Sequence, residues 1–196
     1  MMTGHGSGFR HLRLDEFLGN HDILMSVVEQ FPEYAVDVAL PPDWEPFQSP
    51  PDARVCIWRG DPDRERFCAN VVLTMNQIEA VLDPAEVFPM LCEWQLHMVP
   101  GTQETSRDLS DATEGPGIVG TLALRIPSDH GLLDSESVTR ILTTPQRTLI
   151  AQLTLTALLE SPVDRNNIGL AVTHDAPDAR ATNPGSVTGA AAGSYR

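Results

Sequence analysis

The stretch RTLIAQLTLTALLES (147–161) alternates apolar with small or polar residues at a period of two. That is the mark of a β-strand with one face on a core and the other toward water or a thin helical layer. Two upstream stretches, YAVDVALPPDW (34–44) and CANVVLTM (68–75), share the alternation. Together the three predict a β-rich α+β fold.

Working outward, a strand over 34–40 places Tyr34, Val36, Val38 and Leu40 on one face. The Pro41-Pro42-Asp43 turn closes it, because proline supplies no ladder donor, and Trp44 caps that turn. Strands over 54–59 and 67–75 form a hairpin across the turn residues Gly60-Asp61-Pro62-Asp63. Further strands are predicted over 102–109, 118–126, 137–143 and 148–158, and the Gly, Pro, Asp and Ser turns between them favour antiparallel neighbours.

The helix signal is sharpest at Asp83-Pro84-Ala85-Glu86, with an N-cap, a proline at the first helical position and a capping-box glutamate. Val87, Met90, Leu91, Trp94 and Met98 then recur at helical spacing until Pro100-Gly101. Pro89 predicts a kink or a short separate first turn, since an interior proline costs about 3 kcal/mol. A short helix is expected within 12–29, with Leu14, Phe17, Leu18 and Ile23 on one side. After Pro162 one apolar patch, 168–172, remains. The expected organisation is a flexible amino terminus over 1–11, one domain over 12–174, and a disordered tail over 175–196 rich in Ala, Gly, Pro, Ser and Thr.

Charge narrows the partners. Acidic residues outnumber basic ones 27 to 13, a formal net charge of -14, and such a field repels nucleic acid and anionic membranes. All 13 basic residues are arginine, which points to a GC-rich genome and excludes lysine Schiff-base and phosphate-loop chemistry. No apolar run reads as a signal peptide or reaches the roughly 18 residues of a membrane span, so a cytoplasmic location is expected. Cys56, Cys68 and Cys92 show no CxxC spacing and read as buried free thiols.

The order of features is similar to that of the LpqN/LpqT family of actinobacterial proteins. Over roughly 14–160 the resemblance rests on PPDW after a strand, ANVVLTM, DPAEVF opening a helix, a Val99-Pro100-Gly101 stop and LIAQLTLTAL. The lead-in LDEFLGNHDI also resembles the segment before the first strand of longer members. The resemblance implies a PsbP-like fold: a largely antiparallel central sheet packed against helices. Many members are lipoproteins, and the leader and lipidated cysteine of that pattern are not matched here. The polar run at 164–167 replaces a clear terminal helix, which is therefore expected to be short or absent. The resemblance transfers no catalytic residue, and relatives of PsbP-like fold mostly bind other proteins.

Cys92 and His97 stand five positions apart on the predicted helix and diverge by about 140°, which argues against a nucleophile pair. Glu93 and His97 share a face at i,i+4 and suit either a metal or, more simply, a solvated surface. There is no HExxH and no GxSxG. Asp61, Asp63 and Glu65 with Arg59, Arg64 and Arg66 make a charged hairpin tip, either a solvated loop or a recognition rim. Trp44, Phe47 and Trp58 with Arg59 form the candidate protein-binding surface, unless the tryptophans simply cover the end of the core.

These readings lead to a non-enzymatic, cytoplasmic protein-interaction module of the adaptor or chaperone-like kind, with an unidentified protein partner and no cofactor or metal. The alternative is a small-molecule or lipid binder using a cleft between sheet and helix near Met90, Trp94 and Met98.

Overall fold

The computed structural model describes residues 12–48 and 53–174. In chain order the elements are α1 (Leu14–Asn20), β1 (Met25–Val27), β2 (Tyr34–Ala39), β3 (Trp44–Phe47), β4 (Arg54–Trp58), β5 (Asn70–Ile78), α2 (Pro84–Met98), β6 (Gln103–Asp111), β7 (Ile118–Ser128), β8 (Gly131–Thr143), β9 (Thr148–Leu158) and β10 (Gly169–His174). The main sheet runs β3-β4-β5-β9-β8-β7-β6, with β1 beside the far end of β5. All its pairings are antiparallel, as expected for this α+β class.

One expectation is corrected and others are extended. The strand over 34–40 does not join the main sheet; β2 pairs with β10, grown from the apolar patch at 168–172, as a separate ribbon. Val36 and Val172 lie opposite each other in that pairing and pack toward the same aliphatic core, which draws the ribbon onto the sheet. Trp44 closes the turn as expected, its N–H donating to the Pro41 carbonyl at 3.3 Å, and in addition opens β3, where Pro46 is tolerated because β3 is an edge strand. The short helix expected within 12–29 is α1, with Leu14, Phe17, Leu18 and Ile23 in one cluster, and the unexpected element after it is β1, which pairs with β5. The predicted ends of the segment 1–11 and the tail 175–196 lie outside the described residues.

α2 is one helix that passes through Pro89. Its start follows the sequence signal: the Asp83 carboxylate accepts the Ala85 N–H at 2.9 Å. The hydrogen bond lost at Pro89 is offset by burial of Val87, Phe88, Leu91 and Cys92. Phe88 lies flat enough on β7 that a Cβ at Gly120 would sit 2.2 Å from its ring, so only glycine fits there.

The core has two layers. One face of the sheet packs under the β2–β10 ribbon through Val71, Leu73, Met75, Leu149, Leu153 and Leu155. The other packs under the helices through Leu14, Leu18, Leu91, Leu122, Ile141 and Ile150. The loop between β5 and α2 is tied to the sheet by Thr148, whose hydroxyl accepts the Leu82 N–H and donates to the Ala80 carbonyl, each at 2.9 Å.

Candidate functional site

α2 packs against β6, β7 and β8, which leaves the neighbouring stretch of β5 and β9 open beside it. The result is a cleft of about 450 Å³ between helix and sheet. Leu91, Trp94 and Met98 of α2 form one wall, with Leu14, Met25 and Val27 on the side of α1 and β1. The floor is mixed: polar Thr74 and Asn76 of β5, Gln152 and Thr154 of β9 and Ser135 of β8, beside apolar Ile150 of β9 and Leu124 and Ile126 of β7. Every side chain lining the cleft is uncharged. Val27 is 50% and Met98 66% exposed, so the mouth carries an apolar rim.

Register explains the polar part of the floor. Ser135, Ser137 and Thr139 lie directly opposite Thr156, Thr154 and Gln152, so their side chains share the helix-side face. The Ser137 hydroxyl sits 3.1 Å from that of Thr154 and donates to Gln95 Oε1 of α2 at 3.4 Å. Gln152 donates to Thr139 Oγ1 at 2.9 Å, and the Ser135 and Thr156 hydroxyls are 3.3 Å apart. These bonds satisfy hydroxyls that are almost wholly buried at Ser135, Ser137 and Thr139, and they lock the helix to the floor. Of the residues expected to line such a cleft, Trp94 and Met98 do so, while Met90 turns toward the helical core.

The aromatic candidates separate. Trp44 and Trp58 are directly opposite in the β3–β4 pairing and pack half-buried against Ala69, Ala157 and Val163 on the ribbon side. Phe47, three residues on, pairs with Val55 and belongs to the opposite face, where it is 56% exposed. Arg59 is exposed and forms an ion pair with Glu45, which keeps the Arg59 pKa raised and the Glu45 carboxyl below its ordinary value.

The charged hairpin tip is partly structural. Asp61 is buried and accepts the backbone N–H groups of Ala69 at 2.7 Å and Asp63 at 2.9 Å. Arg66 reaches Glu160 at 2.9 Å.

The thiol and imidazole diverge as their spacing demands. Cys92 is fully buried, and desolvation pushes its thiol up to about 12, whereas His97 is exposed and donates from Nδ1 to the Glu93 carbonyl at 2.7 Å. Glu93 instead pairs with Arg107 at 3.2 Å. Of the expected buried thiols only Cys92 is fully enclosed; Cys56 and Cys68 are half-buried, and all three are free. Among the described residues no cluster of three His, Cys, Asp or Glu side chains is placed to hold a metal.

Comparison with solved structures finds a similar fold in LpqN, a protein involved in cell envelope biogenesis of Mycobacterium tuberculosis. The match has a TM-score of 0.64 and covers 77% of this chain and 88% of that one, at 19% identity. The fold is LpqN-like. At that identity the likeness speaks for the fold alone. No family model and no curated protein matches the chain. Among the described residues no helix is long and apolar enough to cross a membrane.

The floor of the cleft is what the sequence reading missed. The signal was present in the Ser and Thr residues alternating through 135–139 and 152–156, small polar side chains on strands that must lie under a helix.

Proposed function

We propose that this chain is a non-enzymatic binding protein that holds a small apolar molecule or lipid in the cleft between α2 and the sheet. The observation that carries the reading is the cleft itself, whose volume of about 450 Å³ falls in the range of ligand sites and whose apolar walls stand over a floor that carries hydroxyl and amide groups. Its uncharged lining suits a ligand whose polar end is also uncharged, because nothing there would balance a buried ion. Burial raises the Cys92 thiol to about 12, which argues against a thiolate nucleophile beside the cleft at neutral pH. The free cysteines suit a reducing compartment, and the cytoplasm is the proposed location.

Native mass spectrometry of the protein purified from its own host tests this reading. A retained apolar ligand, lost in Trp94→Ala, is the expected result. A ligand-free preparation together with no stabilisation across a broad panel of lipids and small molecules would overturn it.

A protein-partner function keeps one specific support, the exposed Phe47 beside Val55 on the helix-side face of β3 and β4. In this second reading Phe47 is the anchor and the packed Trp44 and Trp58 hold the strand in place. Capture of a stoichiometric partner by the tagged protein, abolished by Phe47→Ala and retained by Arg59→Ala, is its expected signature. Equal capture by the Phe47 variant would remove it.

A further inference from the structure

The ribbon face of the molecule offers a different kind of site. Apart from an isolated bridge between Tyr34 and Phe31, β2 is paired only with β10, and among the described residues no strand lies along its other edge. Two adjoining cavities of about 260 and 280 Å³ run beside that edge and share Val36, Asp37 and Arg54. Tyr34, Ala35, Val36, Asp37 and Val38 contribute to them consecutively. Side chains of a strand alternate between faces, so consecutive residues line one space only when the strand presents its backbone edge to it.

The two outer edges of the main sheet are guarded, whereas the ribbon's edges, β2 and β10, are not, and the cavities run beside β2. β3 carries Pro46, and β6 carries a bulge between Glu104 and Ser106 together with Arg107, Asp108 and Asp111. These are the devices by which proteins stop an edge from pairing with a foreign strand. β2 has neither proline nor bulge, and Asp37 is its one charge.

The floor beside the edge is apolar, with Val71 and Leu73 under one cavity and Met75 under the other, at the two-residue spacing of side chains on an incoming strand. The rim is acidic. Glu29 and Asp37 make no ion pair among the described residues, and Arg54 turns one guanidinium nitrogen to the Glu29 carbonyl at 2.7 Å.

We propose that the free edge of β2 is a peptide-docking site that takes an extended, alternating apolar and basic segment of a partner protein as a third strand of the ribbon. Main-chain hydrogen bonds to β2 supply the common part of the affinity, apolar side chains enter the groove over Leu73 and Met75, and basic side chains meet Asp37 and Glu29. The site lies on the face opposite the cleft and does not depend on it.

The test uses a fluorescein-labelled hexapeptide of alternating lysine and valine, titrated into the full chain at low salt and followed by anisotropy and backbone amide exchange. The expected result is saturable binding with new protection of the β2 amides, weakened about tenfold or more by Asp37→Arg with Glu29→Arg. A glutamate-valine peptide should bind far more weakly. Protection at β3 or β6 instead, or an affinity untouched by charge reversal in variants of unchanged melting temperature, overturns the proposal. So does stronger protection of the same amides by a peptide of residues 175–196, which would make the chain's own tail the occupant.

Discussion

On the ribbon side, β5 and β9 present Val71, Leu73, Met75, Leu149, Leu153 and Leu155, each at most 4% exposed. On the helix side the same two strands present Thr74, Asn76, Gln152 and Thr154, half-buried over a cleft. Neighbouring residues of one strand therefore meet opposite fates. The ribbon covers its aliphatic face except for the groove beside β2, whereas α2 is offset toward β6, β7 and β8 and leaves the cleft open over β5 and β9. The first face holds most of the buried aliphatic side chains of these two strands, and the second holds the larger single cavity.

That contrast can be broken most strongly at Leu153. Truncation to alanine leaves a cavity in the aliphatic layer and should cost about 2–5 kcal/mol in urea unfolding. If Leu153→Ala cost no more than Trp94→Ala on the helix side, the division between the two faces would be wrong. Trp94→Ala is expected to lower stability less and to abolish ligand retention.

A sharper test joins the two layers through pH. Burial raises the Cys92 thiol from 9.0 to about 12, so the unfolded chain ionises first as pH rises. The stabilisation is present in full below about pH 9.0 and is lost as pH climbs toward about 12, with a slope of about 1.4 kcal/mol per pH unit from this group. Urea midpoints followed from pH 8 to 11 should fall less steeply in Cys92→Ala; parallel slopes would show that the thiol is not the group responsible.

Smaller still is the effect expected at the floor. Ser137→Ala removes the hydroxyl that joins Thr154 to Gln95 and should cost about 0.5–1.5 kcal/mol. Thr154→Val keeps the shape, and its readout is ligand retention instead of stability; unchanged retention in Thr154→Val and Gln152→Leu together would show that the polar part of the floor does not select the ligand. At the bottom of the range, Arg59→Ala breaks an exposed ion pair with Glu45, and thermal melting should not detect it.

Much of the fold was legible where local signals agreed. β7, β8 and β9 alternate over long spans and are separated by unmistakable turns, and the Asp83-Pro84 start of α2 carries its own capping chemistry. β1, β3 and β10 were not legible as sheet members. Each is short, and β1 and β10 pair with strands distant in the chain, so no nearby turn announces them. The grouping of Phe47 with Trp44 and Trp58 has the same cause: without β3 in view, nothing shows that strand parity sets Phe47 on the other face. The predicted helix stripe extends one residue too far, to the exposed Met98, because a period of 3.6 marks a face without saying where the sheet stops beneath it.

By itself, then, the sequence determined which residues of a strand travel together, because side-chain alternation is a property of the extended backbone and needs no partner. It also determined where α2 begins and which turns reverse the chain. The tertiary structure alone decided that β2 leaves the main sheet for β10, and that α2 sits to one side with a cleft beneath its flank. Those outcomes depend on which apolar faces cover one another across long sequence separations, and no local period records that choice.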